Sequence, residues 1–179
     1  MLDRAIQGIR RSESIKRRDR YKEPEICRVY GKDEKVKAMV RVNHTENIAN
    51  EYLFFVTKDG LVKRTAMTEF ESIRQSGKIA ITLKDDDELV AVKQTLGEDE
   101  IIIAGANGKA VRFKETDVRK TGRSSIGVIG MNLNPDDEIV GMQLDHQGDS
   151  LLIVSENGMG KRTFLEEFHV QNRGGKGVK

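Results

Sequence analysis

Three short apolar runs recur along this chain and set its pattern of hydrophobic and polar positions. They cover residues 52–56, 101–104 and 151–154. Each run is nearly continuous rather than alternating, which predicts β-strands covered on both faces. Each is followed by an Asp-Gly or Asn-Gly pair and then by a second strand-like run. Such pairs tolerate positive φ at both central turn positions and favour tight hairpins. The pattern therefore predicts three β-hairpins, with their turns at Gly60, Gly108 and Gly158.

A common order of segments follows the first two hairpins. A short acidic and apolar stretch leads into a polar loop that contains glycine and basic residues. A third strand is expected next, at residues 79–83 and 128–133. An acidic turn at 85–88 and 136–138 then leads into a fourth strand at 89–92 and 139–142. Each unit is therefore predicted to supply four short strands.

The spacing of the turn glycines indicates a repeat architecture. The glycines lie 48 and 50 positions apart, and four short strands at such a period are typical of propeller blades. A fourth-strand pattern without its predecessors occupies residues 33–40, and the sequence ends where another third strand is expected. We therefore interpret residues 33–179 as two complete four-stranded units flanked by two incomplete ones. A β-sandwich with chance similarity is disfavoured because the turn, basic and acidic positions all keep register.

Composition narrows the class of protein. Apolar residues make up 37% of the 179 residues and aromatic residues 5%, with no tryptophan, which suits small units that each bury a thin layer. The single cysteine, Cys27, excludes an internal disulfide and a cysteine-based metal site. No apolar run has the length needed to span a membrane, and no signal peptide is visible. We expect a cytoplasmic protein that makes no membrane contact.

Charge is distributed unevenly along the chain. Residues 1–32 hold ten Lys/Arg and five Asp/Glu, whereas residues 33–179 hold twenty-one and twenty-four. Residues 1–32 are predicted to form a basic extension, either a short amphipathic helix or a disordered arm. The repeat region is slightly acidic overall. Any binding of nucleic acid by the repeats must therefore depend on where their positive charges lie.

Basic residues recur at two points of each unit, just after the hairpin turn and in the polar loop. Repeated cations along a curved surface could contact successive phosphates without reading base sequence, and neighbouring glycines would let the backbone approach. The alternative for each residue is a solvated strand edge, where lysine discourages aggregation. As a set they predict a DNA-binding surface, with the acidic turns facing away. The candidates are Lys63, Arg64, Arg74, Lys78, Arg112, Arg119, Lys120, Arg123, Lys161, Arg162, Arg173 and Lys176.

No constellation of residues predicts catalysis. The histidines His44, His146 and His169 fall at different points of the repeat, which favours surface placement. The acidic turn at 85–88 could attract a divalent cation, but a solvent-facing turn is the better interpretation. We expect no catalytic residue, no metal site and no cofactor in this chain.

Four segments carry a resemblance to a known family. They are residues 52–60, 115–123, 136–142 and 171–177. The region from about residue 38 to residue 179 closely resembles the C-terminal domain of the bacterial DNA gyrase A subunit. The last segment is similar to the family's gyrase box, with asparagine in place of one arginine. It comprises Gln171, Asn172, Arg173, Gly174, Gly175, Lys176 and Gly177.

The resemblance implies an all-β fold, a β-pinwheel, in which propeller-like blades form a disc that wraps double-stranded DNA around its rim. It further implies that wrapping supports ATP-dependent negative supercoiling by a type II topoisomerase, an isomerase. The implied partners are the remainder of the gyrase A subunit, together with the gyrase B subunit. The strand-cleaving tyrosine of the family belongs to an upstream domain that this chain does not resemble, so Tyr21, Tyr30 and Tyr52 are not assigned to cleavage. The chain itself is expected to be non-catalytic.

Two alternatives remain at this point. Topoisomerase IV A subunits share related blades, so the chain could belong to that C-terminal domain. A propeller-like protein-interaction module is the other alternative. The box-like segment follows two other units, so it is expected to correspond to a later blade than the one that carries the family's defining box, which would then be missing. Residues 1–32 resemble nothing recognisable in the family.

Overall fold

The computed structural model describes residues 37, 38, 40, 50–71 and 77–179, and it confirms the predicted all-β class. The strands are β1 (Tyr52–Thr57), β2 (Leu61–Ala66), β3 (Leu89–Thr95), β4 (Glu100–Gly105), β5 (Ala110–Lys114), β6 (Val128–Ile129), β7 (Ile139–Leu144), β8 (Ser150–Val154) and β9 (Gly160–Phe164). Short 3-10 helices cover Met67–Phe70, Glu115–Asp117, Asp145–Gln147 and Leu165–Glu167. The predicted extension at 1–32 and Arg74 lie outside the described residues.

The three predicted hairpins are present, as β1 with β2, β4 with β5, and β8 with β9. We number the repeat units that begin with these hairpins units 1, 2 and 3. In the first turn the N–H of Gly60 donates to the carbonyl of Thr57 at 3.1 Å, and Gly60 has a φ of 81°. The only described non-glycine residues with positive φ are Asp86 and Asp136. Only the glycine of each Asp-Gly or Asn-Gly pair is therefore left-handed, which is the geometry of a turn followed by a glycine bulge.

The third strand of each unit was placed in the wrong blade by the sequence pattern. The first sheet has the order β3-β1-β2-β6, in which β6 comes from the following unit. Val178 pairs with Ala110 of β5 in the same way. Residues 79–83 form no strand, and the strand expected at 128–133 is reduced to β6. A blade here consists of a hairpin, its own fourth strand and a segment donated by the next unit.

Glycine makes the donated strand possible. Gly130 lies so close to β2 that a Cβ there would come 2.4 Å from Cγ1 of Val62. Its N–H donates to the carbonyl of Gly60 at 2.9 Å. Gly127, at a φ of 109°, would place a Cβ 2.6 Å from the carbonyl oxygen of Val62. Only residues without a side chain allow the third segment of unit 2 to lie directly against unit 1.

The core consists of layers between successive units. The first layer joins Phe54 and Val56 of β1 to Ile101 and Ile103 of β4. A second layer on the opposite face of unit 1 contains Leu53 and Phe55. Because successive side chains point to opposite faces of a strand, one apolar run serves two layers. This confirms the prediction that the first two apolar runs are covered on both faces.

The third apolar run differs from the other two. Ile102 and Ala110 of unit 2 pack with Leu165 and Phe168 of unit 3, which forms a third layer. The opposite face of β8 is open, and Leu152 and Val154 are 65% and 58% exposed. The expectation of burial on both faces is therefore wrong for this run, because no described residue packs on its second face.

Candidate nucleic-acid interface

The arginine that follows the hairpin turn joins neighbouring units in units 1 and 2. In unit 2 the guanidinium of Arg112 lies 2.6 and 2.7 Å from a carboxylate oxygen of Glu100. It also donates to the carbonyl oxygens of Leu165 at 2.6 Å and Phe168 at 3.3 Å, both in unit 3. Arg112 therefore connects two neighbouring units, and most of its hydrogen-bonding capacity is used inside the protein.

Arg64, the equivalent residue of unit 1, has a similar environment. Its guanidinium carbon lies 4.6 Å from the centre of the Tyr52 ring, and Nη1 is 3.7 Å from Oε2 of Glu115 in unit 2. Glu115 is fully buried and also accepts hydrogen bonds from the hydroxyl of Thr95 and the N–H of Asp99. Sequence reasoning missed this carboxylate, because a glutamate beside polar residues resembles a solvent-facing position.

Lys63 is buried, with 1% of its surface exposed. Its ammonium donates to the carbonyl of Ala80 at 2.6 Å and to the carbonyl of Arg123, and it lies 5.5 Å from the centre of the Phe55 ring. Burial lowers the pKa of Lys63 to about 8, and the nearby positive charge of Arg123 adds to the effect. The structure thus places this predicted phosphate ligand inside the protein, where it ties two loops together.

Unit 3 exposes its equivalent cations. Lys161 and Arg162 are both exposed, and the guanidinium carbon of Arg162 lies 5.6 Å from the centre of the Phe164 ring. Exposed lysine and arginine side chains on a strand retain free donors for an anionic partner. The arginine that follows the hairpin turn is therefore internal in units 1 and 2 and exposed in unit 3.

The polar loop of unit 2 brings several cations to one end of the hairpins. Arg119 and Lys120 are exposed. The N–H of Thr121 donates to the carbonyl of Arg64 at 2.9 Å, which fixes the loop at the end of β2. Arg123 donates to the carbonyl of Ile79 at 3.4 Å and its Nε lies 3.8 Å from the Glu69 carboxylate. Lys78 is half-buried and donates to the carbonyl of Glu69 at 3.1 Å.

The box-like loop at 171–177 docks on unit 2. The N–H of Gln171 donates to the carbonyl of Arg112 at 2.7 Å, and the N–H of Gly174 donates to the carbonyl of Gly130 at 2.6 Å. The carbonyl of Gly175 accepts from the N–H of Asn132 at 3.0 Å. The glycines of this loop therefore serve a close approach between two units, a role that the sequence pattern did not indicate.

Three side chains of the same loop remain on the surface. Asn172, Arg173 and Lys176 are exposed. Arg173 donates to the carbonyl oxygens of Asp117 at 3.0 Å and Ile129 at 3.1 Å, so it lies against unit 2. Gly177, at a φ of 77°, would place a Cβ 3.0 Å from the carbonyl oxygen of Ala110. The loop thus carries its cations to the end of unit 2 that also holds Arg119 and Lys120.

The acidic turns lie at the other end of the hairpins. Oδ1 of Asp87 accepts from the N–H groups of Asp59 and Glu88, at 3.0 and 2.9 Å. Oδ1 of Asp137 accepts from the N–H of Asn107 at 3.1 Å in the same way. These carboxylates cap the hairpin turns of their own units, which gives them a structural role.

Ion pairs add a link between the acidic turn of one unit and the hairpin turn of another. The ammonium of Lys58 lies 2.9 Å from Oε2 of Glu138, and this hydrogen bond raises the pKa of Lys58. β2 has six residues, so the acidic turns and the basic loops are about 17 Å apart at a rise of about 3.3 Å per residue. Two acidic residues also lie at the end of the hairpins that carries the basic loops. The Glu69 carboxylate is 3.8 Å from Nε of Arg123, and the backbone carbonyl of Asp117 accepts a hydrogen bond from Arg173.

One cluster of ligand-type atoms lies at the start of β4, at the end of that hairpin opposite its turn. A carboxylate oxygen of Asp99, one of Asp145 and a ring nitrogen of His146 lie within 4.8 Å of one another. Asp99 accepts from Nδ1 of His146 at 2.9 Å, and from the N–H of Leu96 at 2.8 Å. Asp145 accepts from the N–H of Glu100 at 3.1 Å. Each carboxylate thus already has a protein donor, which agrees with a structural role at the start of β4.

Among the described residues, no helix has the length and apolar character needed to cross a membrane.

Comparison with known proteins identifies the repeat. The sequence profile of the family described as "DNA gyrase C-terminal domain, beta-propeller" matches residues 51–95, 99–144 and 149–179. These three segments correspond to the three units. The DNA gyrase A subunit of Clostridium acetobutylicum is 56% identical over 146 residues, which cover 82% of this chain and 17% of that protein.

Two solved structures have the same fold. The C-terminal domain of a DNA topoisomerase IV has a TM-score of 0.78 and 34% identity, covering 86% of this chain and 48% of the solved one. A DNA gyrase A C-terminal domain has a TM-score of 0.71 and 31% identity, covering 83% of this chain and 49% of the solved one.

The chain spans about a sixth (17%) of the length of the gyrase A subunits that it matches. The family profile matches all three units, and the fold agrees with the solved C-terminal domains. The β-pinwheel prediction and the family resemblance are therefore both confirmed, and this chain belongs to the DNA gyrase C-terminal domain family.

Proposed function

We propose that this chain binds double-stranded DNA without sequence preference, as part of the C-terminal domain of a gyrase A subunit, and that it bends DNA around its basic loops. Family membership across all three units is the observation that carries the proposal. The parent enzyme would contain the rest of the A subunit, together with the gyrase B subunit. There the bound DNA would be presented for ATP-dependent negative supercoiling in the cytoplasm. The chain would supply binding and no catalytic step.

The geometry supports one end of the hairpins as the DNA surface. Phosphate binding requires cations with free donors, and exposed cations occur in the loops and on β9. They are Arg119, Lys120, Lys161, Arg162, Arg173 and Lys176. Lys78 and Arg123 would take part from the edge of this surface. Three of the predicted cations would act only through the loops that they hold in place, namely Lys63, Arg64 and Arg112. Arg74 remains a prediction from the sequence.

Wrapping follows from the repetition of these loops. A single loop offers too few contacts to bend a duplex, because strong bending of a short site costs about 1–6 kcal/mol. Loops at the same end of successive units would share that free energy among several phosphate contacts. Phosphate contacts position the duplex but do not read bases. Binding should therefore tolerate any sequence and strengthen with duplex length.

The first experiment measures affinity against salt by fluorescence anisotropy, using a short duplex and one several times longer. About six phosphate contacts predict a slope of about −5 for log K against log salt. The longer duplex should bind more tightly than is explained by the larger number of positions at which the protein can bind it. A flat salt response would refute the proposal, and so would equal affinity per site for both lengths.

A matched pair of charge reversals tests which end of the hairpins binds. Arg119→Glu with Lys120→Glu changes the basic loop, and Lys84→Glu with Lys109→Glu makes the same change of net charge at the turn end. Losing two phosphate contacts should reduce the salt slope by about 2, while the control should keep the wild-type slope. An equal reduction of the salt slope in both variants would contradict the assignment of the basic loops as the DNA-binding surface.

A topological assay separates wrapping from simple binding. Closing a nicked plasmid with ligase in the presence of the chain traps any writhe that the protein imposes. We expect a shift in linking number that grows with protein concentration and disappears in the Arg119→Glu, Lys120→Glu variant. DNA binding without such a shift in linking number would show that the chain binds DNA but does not wrap it.

The similarity to a topoisomerase IV domain favours a second candidate, the C-terminal domain of that enzyme's A subunit. The two candidates share DNA binding and differ in the reaction of the parent enzyme. A protein-interaction module is a third, and the charge reversal distinguishes it, because it predicts weak DNA binding that neither variant changes.

A further inference from the structure

The third segments of units 1 and 2 hold the basic loop of the following unit. In unit 1 this segment covers residues 79–83, and in unit 2 the equivalent residues are 129–133. The two correspond because Asp86 and Asp136, the described non-glycine residues with positive φ, lie 50 positions apart just after them. The two segments can therefore be compared contact by contact.

In unit 1 the contact with the following loop is made by Thr82. The hydroxyl of Thr82 donates to the carbonyl of Ser124 at 2.7 Å, and its N–H donates to the carbonyl of Ser125 at 3.3 Å. One residue of unit 1 thus binds two successive carbonyl oxygens of the unit 2 loop. We call such a pair of hydrogen bonds a clamp.

Asn132 makes the same contact in unit 2. Its Nδ2 donates to the carbonyl of Gly174 at 2.5 Å, and its N–H donates to the carbonyl of Gly175 at 3.0 Å. Each of these three residues lies 50 positions after its counterpart in the first clamp. A threonine hydroxyl and an asparagine amide differ in shape and share a hydrogen-bond donor. The repeat therefore keeps the donor at this position and not the residue type.

An arginine of each loop makes a second contact in the opposite direction. Arg123 donates to the carbonyl of Ile79 at 3.4 Å, and Arg173 donates to the carbonyl of Ile129 at 3.1 Å. In both cases the acceptor lies three residues before the clamp residue. Because loop and segment are joined at two points, the direction of the loop is fixed as well as its position.

These contacts determine where the cations of the loops lie. Arg119 and Lys120 come just before the clamped carbonyls of the unit 2 loop, and Arg173 and Lys176 flank those of the unit 3 loop. All four are exposed. Since the same clamp occurs in two successive units, it places two sets of exposed cations at a fixed step from one unit to the next.

We propose that Thr82 and Asn132 are positioning residues for DNA bending, each of which clamps the basic loop of the following unit. This role rests on the proposed DNA binding and adds to it the residues that align one loop with the next. Neither side chain carries a charge, so the clamps themselves neutralise no phosphate. They act on bending, which needs the loops of successive units in alignment, more than on local binding, which needs only the cations.

The test removes the two clamp donors without changing the net charge. The donor-free variant is Thr82→Val with Asn132→Ala. Its matched control, Thr68→Val with Asn134→Ala, makes the same substitutions at exposed positions outside the clamps. A swapped-donor variant, Thr82→Asn with Asn132→Thr, keeps a donor at each position and exchanges the residue types.

Closing a nicked plasmid with ligase measures bending, and anisotropy with a short duplex measures local binding. We expect the donor-free variant to lose at least about half of the linking-number shift while its affinity for the short duplex stays within about twofold of wild type. The control and the swapped-donor variant should keep the wild-type shift. A full shift in the donor-free variant would overturn the proposal. A parallel loss of short-duplex affinity would also overturn it, because that result would indicate direct contact with DNA or a destabilised fold.

Amide hydrogen exchange separates a failure of the clamp from a failure of the proposed DNA binding. The N–H of Gly174 donates to the carbonyl of Gly130 at 2.6 Å, so its exchange reports whether the unit 3 loop stays docked. Losing one neutral hydrogen bond should make this exchange about fivefold faster in the donor-free variant, and the swapped-donor variant should match wild type. Faster exchange in a chain whose wild type gives no linking-number shift would refute DNA bending, and with it the purpose of the clamps. An unchanged exchange rate in the donor-free variant would refute the clamp itself.

Discussion

Replacing Arg112 by methionine tests the conclusion that the repeated arginine joins units together. Methionine keeps an unbranched side chain of comparable length and removes the guanidinium. In the native chain that group contacts the Glu100 carboxylate and donates to two carbonyl oxygens of unit 3. The substitution therefore leaves one carboxylate and two carbonyl groups without their donor.

The magnitude follows from how buried these groups are. Arg112 and Glu100 are 17% and 20% exposed in their side chains. Breaking a fully buried ion pair by removing one partner costs about 3–5 kcal/mol, whereas an exposed pair is worth about 0–1 kcal/mol. The residual exposure lets water reach the carboxylate, which favours the lower part of the first range. We expect a loss of about 3 kcal/mol in the free energy of unfolding.

The assay is urea unfolding followed by circular dichroism, with Arg162→Met as the matched control. Arg162 occupies the same position of unit 3, is exposed and contacts the Phe164 ring, so its replacement should cost about 0.5–1 kcal/mol. In addition, Glu100→Gln should reduce the effect of Arg112→Met, since the two substitutions remove the same interaction.

Equal destabilisation in the two arginine variants would show that Arg112 does not join the units. A cost of less than about 1 kcal/mol for Arg112→Met, the value of an exposed pair, would show the same. Either result would indicate that Arg112 is a solvated cation on a strand, which serves only as a phosphate ligand.

Two further predictions concern buried contacts between the first units. Burial lowers the pKa of Lys63 from 10.5 to about 8, so between these pH values the unfolded chain binds more protons than the folded chain. The stability of the native chain relative to Lys63→Met should therefore rise by about 3 kcal/mol as pH increases from 8 to 10.5; a difference that stays constant across urea titrations in this range would contradict the burial of the ammonium. Gly130→Ala should destabilise the chain by about 2 kcal/mol because its Cβ would overlap Val62. Adding Val62→Ala to Gly130→Ala should cost less than the sum of the single effects, and simple additivity of the thermal unfolding data would argue against the close approach.

Local features of the fold could be predicted from the sequence because they depend on short-range chemistry. The pairs at Gly60, Gly108 and Gly158 indicated hairpin turns, and all three turn glycines are left-handed. The continuous apolar runs indicated strands with two buried faces, which is correct for β1 and β4. Both signals lie within a few residues of the element that they predict.

The exchange of strands between units could not be predicted in the same way. A repeat with fixed period gives the order of the segments but not the sheet to which each belongs. The third segment of unit 2 leaves its own hairpin and pairs with β2. The nearest signal in the sequence is Gly130, whose missing side chain leaves room for Val62. In the sequence alone, however, a glycine needed for close packing cannot be distinguished from a glycine in a loop.

The candidate site shows the same limit. Periodicity identified Arg64, Arg112 and Arg162 as equivalent, and by sequence they are. Only Arg162 is exposed, because in units 1 and 2 the following unit supplies carbonyl or carboxylate acceptors. Whether a repeated cation is available to a ligand depends on its neighbour in space, which period alone does not give.

This dependence has a consequence for the proposed DNA surface. The loop of unit 2 is fixed by the end of β2 in unit 1, and the loop of unit 3 is fixed by Arg112 and Gly130 in unit 2. Each loop is thus held in place by the preceding unit and not by its own hairpin. The basic surface is therefore a property of stacked units: a unit removed from its neighbours would retain its lysines and arginines but lose the backbone contacts that align them. DNA bending by this chain should accordingly depend on the number of units in register more than on the number of positive charges.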